Sequence, residues 1–322
     1  MVKFGYKLMA EEHGPRELVE NAVRAEAAGF DYVAISDHYH PWLEAQGHSP
    51  FAWSVLGGIA HATKTIGLIS ALTCPIIRYH PVIVAHAAAT VAVMSDGRLS
   101  LGVGAGERLN EHVVGMRWPP LPERHAMLSE AIDIMKTLWR GGVRTKVGRY
   151  FTVDHARLYD LPDAPIPLIV GVGGPKGARI AAEKADGIML TAPKAKLAAE
   201  YRARAATPGP VYAEAMVAYA QTPEQGLETA HRMMRFSVFG WEVMTELPNV
   251  AGFEAVSRTV RPEDLASFIH TGPDPEGHVK AIRKYAERSC DHIALSCPGR
   301  DQAAFIDYFA RVLRPGLADL AG

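Results

Sequence analysis

Cysteine is scarce in this chain of 322 residues: Cys74, Cys290 and Cys297 are the whole set, and no two share a CxxC spacing. An odd, dispersed set excludes a disulfide framework and a zinc ribbon, and fits reduced, packed thiols in a cytosolic protein. A surplus of charge is missing too, with 34 Lys and Arg against 35 Asp and Glu and a formal net charge of −1. The chain as a whole therefore has no general attraction to nucleic acid or anionic membrane, and any acidic ligand must be met by local basic groups. No apolar run approaches the ~20 residues that span a bilayer, and Met1–Gly5 lacks the charged-then-apolar layout of a signal peptide. The expectation is a cytoplasmic protein with neither a nucleic-acid nor a membrane partner.

Nucleophile and phosphate signatures are also absent. There is no GxSxG and no Walker loop, which leaves serine hydrolysis and phosphoryl transfer without support. His38 and His40 stand two apart with no third ligand at recognisable spacing, so no metal site is expected. The glycine-rich stretches Gly102–Glu107 and Gly171–Gly177 miss GxGxxG, because Glu107 and Lys176 take the place of the third glycine. The second stretch still sets Gly173 and Gly174 directly before a helix opening at Pro175. Free N–H groups and the helix dipole would suit a phosphate there, and tight turning from strand to helix explains the glycines equally well.

What the chain does have is regular alternation, within a 48% hydrophobic, 21% charged composition that suits a buried core. Apolar runs at Lys3–Leu8, Tyr32–Asp37, Ile66–Thr73, Leu99–Gly104, Pro167–Gly171, Gly187–Thr191, Tyr212–Ala220 and Ile293–Ser296 read as strands. Helical segments separate them, the first running from Pro15 to Ala28 and closed by Gly29. Eight continuous apolar strands, each followed by a helix, predict a (β/α)8 TIM barrel as one domain over 1–322. A doubly wound sheet would need fewer strands and an early glycine fingerprint. Insertions are expected at about 38–52, 141–161 and 236–260. In the second, Val143–Lys146 and Arg149–Val153 flank Val147-Gly148 as a hairpin.

A barrel puts its chemistry at the carboxyl ends of its strands. Tyr32-Val33-Ala34-Ile35 ends abruptly in Ser36-Asp37-His38, with Trp42 in the loop beyond. A core strand gains nothing from ending in an acid and a histidine, which favours a site over a capping acid. Other strand ends supply Glu11, Ser70, Ala71 and Thr73, Glu107 and Asn110, Gly173 and Gly174, and Thr191 with Lys194. Singly, Thr73 could be a turn residue, Asn110 a helix cap and Lys194 a solvated amine. Together they ring one mouth with acid, base, hydroxyl and amide groups.

At these residues the chain resembles the luciferase-like (bacterial luciferase superfamily) oxidoreductases that bind the deazaflavin coenzyme F420, and within them the glucose-6-phosphate dehydrogenase group. The likeness spans nearly the whole chain. It is carried by Gly5-Tyr6-Lys7, Pro15–Val19, Ser36-Asp37-His38 with Pro41-Trp42, Gly47-His48, Arg78–Pro81, Leu101–Glu107 with Leu109-Asn110-Glu111, and Gly173-Gly174-Pro175.

The resemblance implies hydride transfer between an alcohol or carbonyl carbon and the deazaflavin. It makes His38 the base for the hydroxyl proton, Trp42 a cover over the reacting region, and Glu107 the proton partner, with Glu11 a second carboxylate for that role. Asp37, Ser70, Ala71, Thr73 and Asn110 would line the cofactor, Gly173 and Gly174 hold its phosphate, and Thr191 and Lys194 touch substrate. A non-prolyl cis peptide is implied at Ser70–Ala71, and a homodimer is the family's habit. The chain departs from the sugar-phosphate pattern: Lys194 matches one lysine of the clamp, the second falls on Glu242, and the arginine falls near Ser267 or Phe268. An uncharged alcohol is thus as plausible as glucose 6-phosphate. The alternatives are an FMN-dependent monooxygenase on the same barrel and a non-catalytic barrel that only binds a cofactor.

Overall fold

Each apolar run becomes a short strand whose two faces are both covered, as a parallel barrel requires. The computed structural model describes residues 1–321. Its barrel strands are β1 (Lys3–Leu8), β2 (Tyr32–Ile35), β3 (Gly67–Ser70), β4 (Leu99–Val103), β5 (Leu168–Gly171), β6 (Gly187–Leu190), β7 (Val211–Ala218) and β8 (His292–Ser296). Neighbours pair in parallel from β1 through β8, and β8 returns to β1 to close the ring. Alternation sorts the side chains. Val33 and Ile35 of β2 join the large core beneath the helices, while Tyr32 and Ala34 meet Ile69, Ile169, Tyr212 and Ala294 inside the barrel. Lys7 is buried on the inner face of β1, its ammonium 3.4 Å from Glu214 and 3.2 Å from the carbonyl of Ala71.

A second apolar cluster lies on the region after β7, joining Met9, Trp42, Leu109, Phe236, Met244 and Phe253. The 236–260 stretch, irregular by its sequence, folds into short turns of helix at Arg235–Val238, Trp241–Met244 and Val250–Ser257. Beyond it, His270–Thr271 adds a two-residue strand beside the end of β7. The helix Pro81–Met94 carries apolar residues around most of its circumference and leaves Ile83, Val93 and Met94 exposed.

Three local expectations are corrected. Strand β2 stops at Ile35 and β3 at Ser70, so Asp37 and Thr73 belong to loops, Thr73 keeping one bridge to Val103. The cis peptide is Ala71–Leu72, one residue later than expected. The hairpin strands are Arg144–Val147 and Thr152–Ala156, with the turn at 148–151 rather than at Val147-Gly148. Glu130, on the helix Leu121–Trp139, explains that shift: its carboxylate accepts from the N–H groups of Arg149, Tyr150 and Phe151 at 3.0 to 3.1 Å. Those three amides are thereby taken away from the ladder.

Candidate active site

The loops after β2, β3 and β4 converge through two buried carboxylates and one arginine. Asp37 accepts from the Thr73 hydroxyl at 2.8 Å, the Arg78 guanidinium at 2.9 Å and the Tyr79 hydroxyl at 3.0 Å. Arg78 also donates to the Asp37 carbonyl at 2.7 Å, and its backbone N–H donates to Glu111 at 2.7 Å. Its guanidinium therefore bridges two acids, with Nε 3.6 Å from Glu111. Burial drives the Glu111 carboxyl up to about 7 against the opposing pull of Arg78, and burial with the neighbouring Asp37 charge pushes the Tyr79 phenol well up. Such a network fixes the loops that carry the reactive groups.

His38 follows Asp37 and lies between two carboxylates. Its Nδ1 is 3.4 Å from Glu11 Oε1 and 3.3 Å from the carbonyl of His40, and its Nε2 is 3.3 Å from Glu107 Oε2. Two acceptors at Nδ1 favour the tautomer with the ring proton there, which turns the Nε2 lone pair toward Glu107. Glu11 is steered by the Ser36 hydroxyl at 3.1 Å, and Glu107 by the Asn110 side-chain amide at 3.0 Å. Burial raises the Glu107 carboxyl above its ordinary value, with the neighbouring His38 opposing and Glu11 adding to the rise. The result is a basic nitrogen beside an acid that retains its proton to higher pH, an arrangement suited to proton transfer at an alcohol. Trp42 closes one side, its indole meeting the His38 ring edge-on at 4.9 Å.

The remaining expected residues are spread around this centre. Asn110 Oδ1 accepts from the N–H of Tyr39 at 2.9 Å and of His40 at 3.3 Å, so Asn110 holds the His38 loop as well as Glu107. The Ser70 hydroxyl is turned onto β4, donating to the Gly102 carbonyl at 2.9 Å and accepting from its N–H at 3.1 Å. That approach needs glycine, because a Cβ at Gly102 would lie 2.0 Å from the Ser70 carbonyl oxygen. Ala71 supplies the carbonyl that Lys7 holds. Gly173 and Gly174 precede the helix Pro175–Lys184, whose N-cap has no side-chain acceptor. A Cβ at Gly174 would meet nothing within 4 Å, whereas one at Gly173 would lie 3.2 Å from the Trp241 indole, so the ground is open at Gly174 and roofed at Gly173. Thr191 and Lys194 are exposed, and the Lys194 ammonium lies 3.5 Å from the Gly173 carbonyl, on the glycine side of the mouth. Among the described residues no group of three or more His, Cys, Asp or Glu could hold a metal ion.

Sequence reasoning did not single out Arg78, Tyr79 or Glu111 as site residues, nor the aromatic backing of Trp42. Phe236 stacks on Trp42 at 4.8 Å and 14°, and Phe253 meets it edge-on at 5.0 Å. A usable signal for Glu111 was its place in the Leu109-Asn110-Glu111 block, which forms a short helix Arg108–Glu111 opened by Glu107 in extended conformation.

Comparison with known proteins places these features. Residues 2–292 match the model of the family described as luciferase-like monooxygenase. Among curated proteins, the chain is 34% identical to the F420-dependent glucose-6-phosphate dehydrogenase of Tsukamurella paurometabola, covering 99% of each. It is 36% identical to that of Intrasporangium calvum, covering 99% of this chain and 100% of the relative. Among solved structures, an F420-dependent secondary alcohol dehydrogenase in complex with an F420-acetone adduct is 29% identical, with a TM-score of 0.90 over 98% of this chain and 99% of that one.

Proposed function

The chain belongs to the luciferase-like monooxygenase family, and on that premise we propose that it is a coenzyme F420-dependent oxidoreductase acting on an alcohol and carbonyl pair. The observation that carries the reading is His38 between Glu11 and Glu107, at 3.4 and 3.3 Å, on the floor of the barrel mouth. The full-length relatives and the 29% identical alcohol dehydrogenase supply the cofactor and reaction class.

The residues present fit the deazaflavin. Open ground at Gly174, before an uncapped helix N-terminus and with the Trp241 indole covering Gly173, suits its phosphate, and Lys194 borders it. The backbone of Ser70 and Ala71, the Asn110 amide and the Thr73 end of the Asp37 network would line its ring system. When bound, the cofactor supplies hydride exchange with the alcohol carbon. His38 Nε2 takes the hydroxyl proton of the alcohol, or returns it in the reducing direction. Glu11 and the His40 carbonyl hold the imidazole in the tautomer that leaves Nε2 free. Glu107, its carboxyl raised by burial, lies within reach of Nε2 as the proton partner, and Asn110 fixes its direction. Trp42 excludes water from one side of the imidazole.

Single-turnover reduction of the deazaflavin by alcohols tests this reading. His38→Gln is expected to slow the step ~10²- to 10⁴-fold while cofactor affinity stays within a few fold. A variant as fast as the wild type would sink the assignment. Tight FMN binding with no deazaflavin reduction would favour the monooxygenase alternative instead. The exposed apolar side of Pro81–Met94 supports a homodimer, which light scattering at low micromolar concentration tests.

A further inference from the structure

We propose that Gln46 is a positioning residue for the reaction. Its side-chain amide clamps the backbone of Trp42 and Leu43 and ties the His38 loop to the helix Pro223–Met234, which keeps Trp42 seated against the imidazole. The proposal rests on the oxidoreductase reading above.

Once β2 stops at Ile35 its continuation has no ladder partner, so the N–H groups of the His38 loop take acceptors from elsewhere. From Tyr39 to Leu43, two side-chain amide oxygens supply all of them. Asn110 Oδ1 takes the N–H groups of Tyr39 and His40, and Pro41 has none to give. Gln46 Oε1 takes the next two, from Trp42 at 2.8 Å and from Leu43 at 3.3 Å. Gln46 is fully buried, and its own N–H closes the turn on the Leu43 carbonyl at 3.1 Å.

The nitrogen of the same amide leaves the loop. Nε2 donates to the Met233 carbonyl at 3.1 Å, with the Met234 Sδ at 3.9 Å. Two N–H donors at one end and a carbonyl at the other fit one orientation of the amide, oxygen toward Trp42 and nitrogen toward Met233. Met233 and Met234 close the helix Pro223–Met234, and the chain runs straight on into Phe236. Trp42 is thus held twice by one stretch of chain, its ring by the Phe236 stack and its backbone through Gln46. Glu44 adds a third tie, its N–H donating to Glu254 at 3.1 Å. The partners of Gln46 are backbone groups and a thioether, so it acts on the reaction through where Trp42 sits and not by touching substrate. Without its acceptor, two buried N–H groups would be left unpaired, and the loop would shift to satisfy them, moving the indole off the His38 ring.

The test uses the full chain with the deazaflavin and a panel of primary and secondary alcohols together with glucose 6-phosphate. It reads cofactor binding by fluorescence, kcat per bound cofactor, and amide exchange at Trp42 and Leu43. Gln46→Leu removes both arms of the clamp. Its kcat should fall ~10- to 10²-fold while deazaflavin affinity stays within about threefold, and both amides should exchange faster. Gln46→Glu separates the arms. Protonated, its carboxyl copies the amide, with the carbonyl oxygen toward Trp42 and the hydroxyl toward Met233; ionised, it keeps the acceptor and loses the donor. The ratio of its kcat to that of the wild type, in which every titration shared by the two proteins cancels, should therefore fall between about pH 6 and pH 9. A Gln46→Leu enzyme with the wild-type kcat, or one that loses cofactor binding in step with kcat, overturns the proposal and leaves the cofactor reading intact. If that variant does not fold, a Gln46→Glu ratio that is flat with pH does the same. A wild type that binds no deazaflavin, or turns over no member of the panel, overturns the oxidoreductase reading and this proposal with it.

Discussion

At the scale of single residues, the site separates two acids that lie within hydrogen-bonding range of one imidazole. Glu107 is buried and its carboxyl is raised above the ordinary range, whereas the Ser36 hydroxyl anchors Glu11 on the other side of the ring. A step that draws on the Glu107 proton must slow as pH climbs through that raised value, because the carboxyl is then ionised. Glu107→Gln holds the same shape but has nothing to titrate. The expected outcome is a kcat lower by ~10²-fold or more, with the wild type's alkaline descending limb missing from the pH profile of the variant. A variant profile that keeps that limb would remove Glu107 from the proton path. The Asp37-His38 step was legible in the sequence because polar residues at the end of an apolar run have no packing rationale. Arg78 and Glu111 were not, because what makes them matter is a bridge from the loop after β3 to Asp37 and to the loop after β4, and the side-by-side pairing of β2, β3 and β4 creates it.

At the scale of elements, strand identity followed from hydrophobic runs, while strand ends followed from competing hydrogen bonds. The eight barrel strands stand where the apolar runs stand, but β2 and β3 end early because the backbone beyond them turns into the site. The inserted hairpin makes the same point more sharply. Val147-Gly148 has turn composition, yet Glu130 reaches from its helix and gathers three consecutive N–H groups beyond it, moving the turn to 148–151. No local pattern signals a carboxylate that lies about one helix away in sequence. Glu130→Ala should cost about 2 kcal/mol of stability through loss of these charge-assisted bonds, read as a shift in urea midpoint at unchanged m-value. Amide exchange at Arg149, Tyr150 and Phe151 should quicken with it. If those amides remain as protected as in the wild type, the turn is held by something other than Glu130.

At the scale of the whole molecule, the barrel is closed by joining the first strand to the last, and a buried acid sits at that seam. Glu12 follows β1 and accepts from the Gly299 N–H at 2.8 Å in the loop after β8, while Tyr6 of β1 donates to Gln302 at 2.7 Å. The other Glu12 oxygen is buried without a partner, and burial raises the carboxyl to about 8. Barrel closure was legible from the count of strands, whereas this seam pairs residues nearly 290 positions apart and leaves no trace in local sequence. The raised value has a direct thermodynamic consequence. The unfolded carboxyl titrates near 4.5 and the folded one near 8, so the folded state holds the extra proton between them. Stability from this group is complete below pH 4.5, drains as pH rises toward 8, and changes no further above it. Glu111, raised to about 7, acts in the same direction over a narrower window. The wild-type Tm should therefore fall between pH 6 and pH 9. Glu12→Gln keeps an acceptor for Gly299 and cannot ionise, so it should match the wild type at pH 5 and exceed it by several degrees at pH 9. Melting curves of the two proteins that run parallel across this range would show that the Glu12 carboxyl is already ionised at neutral pH in the folded barrel.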